Sequence, residues 1–299
     1  MNIKSEQLFT NVHASKTIGK IIQFPISRML ISVLFIIPFL IFHNKIIGDF
    51  IASTKQPYHS LVSYIDTIIS IIVILLFYRL YVKYIERRKS YEITLNDNFK
   101  EFCMGFIISL GLVGSMVLLM FVLGYYKINN LNSGKIVLDS IFFFGMGAFI
   151  QVLFFRIIVF RLAEELFGSW IALILISLIF GIAHLVNENA TIGTSLAIMI
   201  MDVLLIAAFI YTRRIWFVWG LHMSWNFFQD GIFGMPNSGV TQFPSWIDPI
   251  ISGPKWITGG NFGIEASYIA ILMSLFVGII ILKIAINNNK IVIPIWKRN

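Results

Sequence analysis

Six polar or ionisable residues stand inside long apolar runs, where their types and spacing could support chemistry. They are Gln151, Arg156, His184, Asp202, His222 and Asn226. Because such side chains are unfavourable in hydrocarbon, each is a candidate for function. His222 and Asn226 are four residues apart and share one helix face. Two histidines and a carboxamide in a dry site could bind a metal, orient a water or stabilise an oxyanion. Alternatively, they only hydrogen-bond helices together.

The depths of these residues in their helices can be estimated from the helical rise. Gln151 and His184 each lie about 16 residues from a predicted turn near Phe167 and Gly168, which is roughly 24 Å of helix. His222 lies roughly 12 Å and Asn226 roughly 18 Å beyond Arg214, at the start of a later run. These levels overlap, so we predict one cavity faced by both histidines and Asn226, with the helix of Gln151 and Arg156 opposite.

The amino-acid composition indicates the class of protein to which these residues belong. Of 299 residues, 58% are hydrophobic and only 13% are charged, against about 25% charged in soluble domains. Apolar runs near the 20 residues of a membrane span indicate an all-α polytopic membrane protein, a bundle of about eight helices. The predicted spans are Ile26 to Phe42, Leu61 to Val82, Cys103 to Tyr125, Ile136 to Phe160, Trp170 to Ala183, Thr194 to Tyr211, Ile215 to Gln229 and Ala266 to Ile286.

The basic residues indicate how the spans are oriented. With eight spans, 18 of the 23 Lys and Arg residues lie on one side, which the positive-inside rule assigns to the cytoplasm. We therefore predict a multi-pass cell membrane protein with both termini cytoplasmic. The net charge of +8 then reflects orientation and contact with bilayer lipid. A nucleic-acid partner is disfavoured, because the basic residues do not form one face with interleaved aromatics.

The order of spans and loops predicts three regions. Residues 1–135 form an N-terminal membrane region with three spans, 136–286 form a core with five spans, and 287–299 form a short cytoplasmic tail. The longest stretch outside the spans, Gly231 to Glu265, is rich in Gly, Pro and Trp. This composition fits an ordered loop at the membrane interface. The loop could also be a lid over a cavity.

Two of the polar segments carry motifs of a known family. Phe180-Gly-Ile-Ala-His184 and the segment from Gly220 to Gln229 resemble the second and third motifs of the CPBP family. This membrane-embedded group contains the CAAX prenyl endopeptidases and the bacterial Abi, bacteriocin-processing and immunity proteins. Trp256 to Glu265 looks like the loop before the last helix in bacterial members, which favours a bacterial source. The resemblance covers about Phe142 to Ile286 and implies intramembrane endopeptidase activity. In it, His184 and His222 would be catalytic or metal-coordinating, and Asn226 would stabilise an oxyanion or position a water.

The first family motif, E-E-x-x-x-R, is degenerate in this chain. The aligned stretch keeps Arg156 but has Gln151 and Val152 in place of the two glutamates. In the resemblance, the first glutamate activates the attacking water, whereas glutamine can position a water but cannot take its proton. Asp202 is a possible surrogate base, although a charge pair with Arg156 or a hydrogen bond within the bundle is the preferred role.

The only adjacent glutamate pair, Glu164 and Glu165, does not restore the first motif. The motif would need arginine where this chain has Ser169. We expect Glu165 to neighbour Arg161 on a solvated helix end instead.

Three functional hypotheses follow. The first is an impaired or inactive peptidase-like protein that binds a membrane peptide, a lipidated peptide or a membrane protein partner. The second is an active endopeptidase whose water is activated by Asp202 or by a divalent metal such as zinc, held by His184 and His222. No cofactor is certain from the sequence. The third is a transporter or channel, against which no inverted repeat is evident.

Overall fold

The protein is described by a computed structural model that covers residues 3–9, 17–43, 45, 49, 53, 58–241 and 244–298. Helices make up most of this part of the chain. They are α1 (Thr17–Gln23), α2 (Pro25–Phe42), α3 (Tyr58–Tyr81), α4 (Asn98–Val122), α5 (Lys135–Val152), α6 (Arg161–Ala183), α7 (Ile192–Thr212), α8 (Ile215–Asn226), α9 (Lys255–Thr258) and α10 (Tyr268–Asn287). Three π-helical segments, Val82–Glu86, Leu153–Phe160 and Phe227–Ile232, extend α3, α5 and α8.

The helices form the predicted all-α polytopic membrane fold. Among the described residues, five helices are long and apolar enough to cross a membrane, or six if the bent pair α1 and α2 forms one span. The number of spans is smaller than the predicted eight for two local reasons. The fourth and fifth predicted spans lie in one long helical stretch, Lys135–Val186. The seventh corresponds to α8 and its π-helical extension to Ile232, which contain His222, Asn226, Gln229 and Asp230 and are not apolar enough to count as a span.

Gly168 breaks the long stretch that contains α5 and α6. Its backbone angles, φ 78° and ψ 167°, are not helical, and a Cβ there would lie 2.8 Å from both Pro294 N and Val292 O. A straight helix would hold Gln151 and His184 about 50 Å apart. Both residues line one cavity, so the chain folds back on itself at Gly168, where the turn was predicted.

Helices α4 and α8 pack with their backbones in direct contact. A Cβ on Gly105 would lie 2.4 Å from Phe217 O, and one on Gly220 would lie 2.3 Å from Phe102 O. Ser109 also donates a hydrogen bond across the interface to Leu221 O at 2.8 Å. Small residues permit this close packing in membrane helices. The contact fixes the position of α8, which carries two of the predicted site residues.

A buried cluster of ion pairs lies near Gly168, at the N-terminal end of α6. Glu165 is only 6% exposed and accepts a hydrogen bond from Arg28 at 2.5 Å, while Arg161 pairs with Glu86 at 2.5 Å. The expectation of a solvated helix end is therefore wrong, although Glu165 does lie near enough to Arg161 to interact with it electrostatically. Arg28 and Glu86 come from distant parts of the chain, and their packing excludes water from this end.

A two-stranded antiparallel sheet joins the loops at the opposite end of the bundle. Strand β1 (Tyr126–Leu131) precedes α5, and strand β2 (Ile247–Ile251) follows α8, with an irregularity in register between Ile128 and Asn130. The described part of the Gly231 to Glu265 segment is ordered around β2, with further helical turns before α10.

Candidate functional site

A cavity of about 330 Å³ lies between α5, α6, α7 and α8. Five of the six predicted residues line it, and they are Gln151, His184, Asp202, His222 and Asn226. The sixth, Arg156, lies behind the wall and is almost fully buried. The structure thus brings the predicted residues together, while their roles in catalysis or metal binding stay predictions.

The ring of Phe180 lies at the centre of this group. Its centroid is 4.6 Å from that of His184 and 6.3 Å from that of His222. The guanidinium carbon of Arg156 lies 4.9 Å from the same ring. One aromatic side chain therefore packs against both imidazoles and against the guanidinium, which fixes their spacing.

His184 ends α6 with one imidazole nitrogen engaged. Its Nδ1 lies 2.7 Å from Phe180 O, and a carbonyl oxygen only accepts hydrogen bonds, so Nδ1 carries the proton. In the neutral ring, Nε2 then has a free lone pair. This nitrogen can accept a hydrogen bond from a water or a ligand group.

Gln151 and Val152 occupy different environments although they are adjacent. Gln151 lines the cavity, whereas Val152 is 1% exposed and belongs to the hydrophobic core. The carboxamide of Gln151 can donate and accept hydrogen bonds but has no proton-accepting state near neutral pH. Only the first position of the degenerate motif therefore faces the cavity.

Asp202 forms a buried ion pair with Arg156. The Nη2 of Arg156 donates to Asp202 Oδ1, and both side chains are almost completely buried. The pairing preferred from the sequence is thus confirmed. Asp202 also lines the cavity, but its charge is balanced by a cation from the neighbouring helix.

The donor set does not fit a catalytic zinc site. Such sites use three protein ligands and keep a further position open. In the described part of the chain, no group of three or more His, Cys, Asp or Glu side chains could hold a metal ion. His184 and His222 supply two nitrogens, and the nearby carboxylate of Asp202 is engaged by Arg156.

The structure adds a carboxylate that the sequence did not assign to the site. Glu265 lies outside the spans, is 5% exposed, and lines the same cavity. Its Oε2 accepts hydrogen bonds from Ser238 N at 2.7 Å and Ser238 Oγ at 2.8 Å. Burial raises the pKa of the Glu265 carboxyl to about 7, against the lowering effect of these hydrogen bonds. The sequence feature that could have identified Glu265 as a site residue is its position at the end of the family-like loop motif.

Three loops meet at the end of the cavity that Glu265 lines. The Nδ2 atoms of Asn187 and Asn189 donate to Ser238 O and Gly239 O, both at 3.0 Å. Gly239 N in turn donates to Phe262 O at 2.7 Å. Asn187 and Ser238 themselves line the cavity. Part of the segment considered as a lid therefore covers one end of the site and adds polar groups to its wall.

Residues 133–228 match the model of a protein family described as Rce1-like: Type II CAAX prenyl endopeptidase Rce1-like. The matched segment contains α5 to α8 and five of the cavity residues predicted from the sequence, while Glu265 lies outside it. No curated protein and no solved structure matches the chain. The family resemblance read from the motifs is therefore confirmed, and residues 133–228 are similar to the Rce1-like type II CAAX prenyl endopeptidases.

Proposed function

We propose that the cavity binds a peptide or lipidated peptide, free or as part of a membrane protein partner, and hydrolyses it poorly or not at all. The observation that carries this proposal is the position of Gln151 on the cavity wall, in the company of His184, His222 and Asn226. The site keeps groups that can hold a carbonyl or a water but has glutamine where the family motif has a base.

The missing base has a large expected effect. General acid–base catalysis contributes about 10²–10⁴-fold to rate. Asp202 is a weak replacement because Arg156 engages it, and Glu265 is held by Ser238 among the loops at one end of the cavity. The remaining neutral groups, such as Asn226, can orient a substrate without activating water.

The lining suits a peptide segment. Amide side chains at Gln151, Asn187 and Asn226 can pair with peptide groups, while Leu205 and Leu221 supply apolar wall. The volume, about 330 Å³, is at the lower end of the roughly 300–1,000 Å³ of ligand pockets. The cavity therefore accommodates a short part of a chain, whose remainder would lie in the bilayer or at its surface.

Binding and turnover can be separated with the purified protein in lipid nanodiscs. The probe is a fluorescent farnesylated peptide with a C-terminal CAAX sequence. We expect saturable binding and no cleavage product, with or without added Zn²⁺. Leu205→Trp should fill the cavity and abolish binding, whereas Leu272→Trp, at an exposed position of α10, should not.

Two outcomes would overturn the proposal. Binding that is absent, or that Leu205→Trp leaves unchanged, would show that the cavity does not hold the peptide. Cleavage by the wild type that His222→Ala abolishes, without loss of expression or thermal stability, would identify an active endopeptidase.

We also propose the orientation in the membrane that the distribution of basic residues predicts. The excess of Lys and Arg on one side supports cytoplasmic termini and places the sheet and the Glu265 loop outside. After replacement of Cys103 by serine, a cysteine at Ser252 should react with an external reagent and one at Ser90 should not. The reverse pattern would overturn this orientation.

A further inference from the structure

The carboxylates on the cavity wall differ in how their charge is balanced. Asp202 has Arg156 as a partner. The partners of Glu265 in the described part of the chain are neutral, namely groups of Ser238, Gln229 and Trp225. Among the described residues that line the cavity, none is lysine or arginine. Glu265 therefore brings a negative charge to the wall that no neighbouring cation among the described residues offsets.

Glu265 lies near the histidine and amide groups of the site. The side chains of Gln229 and Trp225 hydrogen-bond to each other and lie close to that of Glu265. Trp225 and Gln229 follow His222 by three and seven residues and lie on the same helix face. One to two helical turns, roughly 5–10 Å along the axis, separate these contacts from His222. A short peptide segment can therefore contact both Glu265 and the polar groups of α8.

We infer that Glu265 gives the cavity a preference for a ligand that carries an ammonium or guanidinium group, such as a basic side chain or a terminal amine. This inference rests on the proposed binding function. A carboxylate shielded from water attracts a cation much more strongly than an exposed one does. A charged hydrogen bond between the two would also balance the buried charge.

The hydrogen bonds from Ser238 are compatible with this role. A carboxylate has about four lone-pair sites, and Ser238 uses two of them, both on Oε2. These neutral donors orient the side chain without removing its charge. The pKa of about 7 means that the carboxylate is mostly ionised at pH 8, which is the condition for the test.

Three peptides in nanodiscs at pH 8 test the preference and the source of the cation. The first is acetyl-Leu-Lys-Leu-amide, and the second replaces its lysine with norleucine, which lacks the ammonium group. The third is Leu-norleucine-Leu-amide, with a free terminal amine. We expect at least one cationic peptide to bind the wild type about tenfold or more tightly than the neutral one.

The variants assign the preference to one carboxylate. Glu265→Gln should bind all three peptides alike, while Glu188→Gln, at an exposed glutamate outside the cavity wall, should keep the wild-type preference. Thermal unfolding checks that both variants fold. If a variant does not fold, the comparison of the three peptides on the wild type still tests the preference. Equal binding of the three peptides, or a preference that survives in Glu265→Gln, would overturn the inference but leave the binding function standing. Absence of binding by every peptide would overturn the inference, whereas the cavity-filling experiment decides the proposed function separately.

Discussion

Breaking the ion pair between Arg156 and Asp202 should destabilise the protein strongly. Both side chains are almost fully buried, and removing one partner of such a pair typically destabilises by about 3–5 kcal/mol. After Asp202→Asn, the guanidinium keeps its contact with Phe180 at 4.9 Å, a cation–π interaction worth about 0.5–2 kcal/mol. We therefore expect a loss of about 2–4 kcal/mol for Asp202→Asn and about 3–5 kcal/mol for Arg156→Met.

A double-mutant cycle isolates the pair. The combined Arg156→Met, Asp202→Asn variant leaves no unpaired charge, so its loss should be smaller than that of Arg156→Met alone and far below the sum of the two. The free energy of unfolding is measured by titration with SDS in mixed micelles, followed by circular dichroism. Asp248→Asn, the same change in an exposed hydrogen bond between β1 and β2, should stay within about 0.5 kcal/mol of the wild type.

The result that would refute this reasoning is additivity. If the single variants each lose less than about 1 kcal/mol and their effects add, the two charges do not stabilise each other. Asp202 would then be free to act on a ligand. The ion pair would then give no physical reason to exclude Asp202 as a base.

The remaining predictions concern helix packing, the turn and pH. Gly220→Ala should destabilise by about 1–3 kcal/mol through overpacking, because its Cβ would meet Phe102 O, whereas Gly111→Ala, which has open space, should not destabilise in the same unfolding assay. Gly168→Ala should also lower the unfolding free energy, by at least about 1 kcal/mol, because its φ of 78° is strained for alanine. The preference for the lysine peptide, whose ammonium group stays protonated, should rise about tenfold from pH 6 to pH 8 as Glu265, with a pKa of about 7, loses its proton. Because two histidines and the Arg156–Asp202 pair also face the site, the binding titration compares wild type with Glu265→Gln, and an equal pH dependence in both would contradict the assignment.

The part of the site that could be predicted depends on helical geometry. The rise and the four-residue spacing of a helix are fixed, so the depths of Gln151, His184 and His222 followed from residue counts once the spans were set. The pairing of Arg156 with Asp202 followed from the free-energy penalty of burying either charge alone. These arguments need only local sequence and the properties of the bilayer.

The features that could not be predicted depend on contacts between residues far apart in the sequence, which leave no local pattern. Glu165 meets Arg28 across 137 residues of sequence, so neighbouring residues suggested the wrong partner. Glu265 reaches the cavity through irregular loops and is held by Ser238, 27 residues away. The extension of α8 to Ile232 likewise carries polar side chains whose partners lie in a later loop, such as Gln229, which donates to Pro236 O.

The most direct test of the central claim is the rate of peptide cleavage by Gln151→Glu. This substitution places a carboxylate at the cavity wall and leaves the buried Val152 unchanged, and adding Val152→Glu then rebuilds the full motif. We expect no measurable cleavage of the farnesylated peptide by the wild type or by the exposed-site control Gln7→Glu. Gln151→Glu, alone or with Val152→Glu, should produce cleavage about 10²–10⁴-fold above that background. Wild-type cleavage as fast as that of these variants would contradict the claim that Gln151 is what limits hydrolysis.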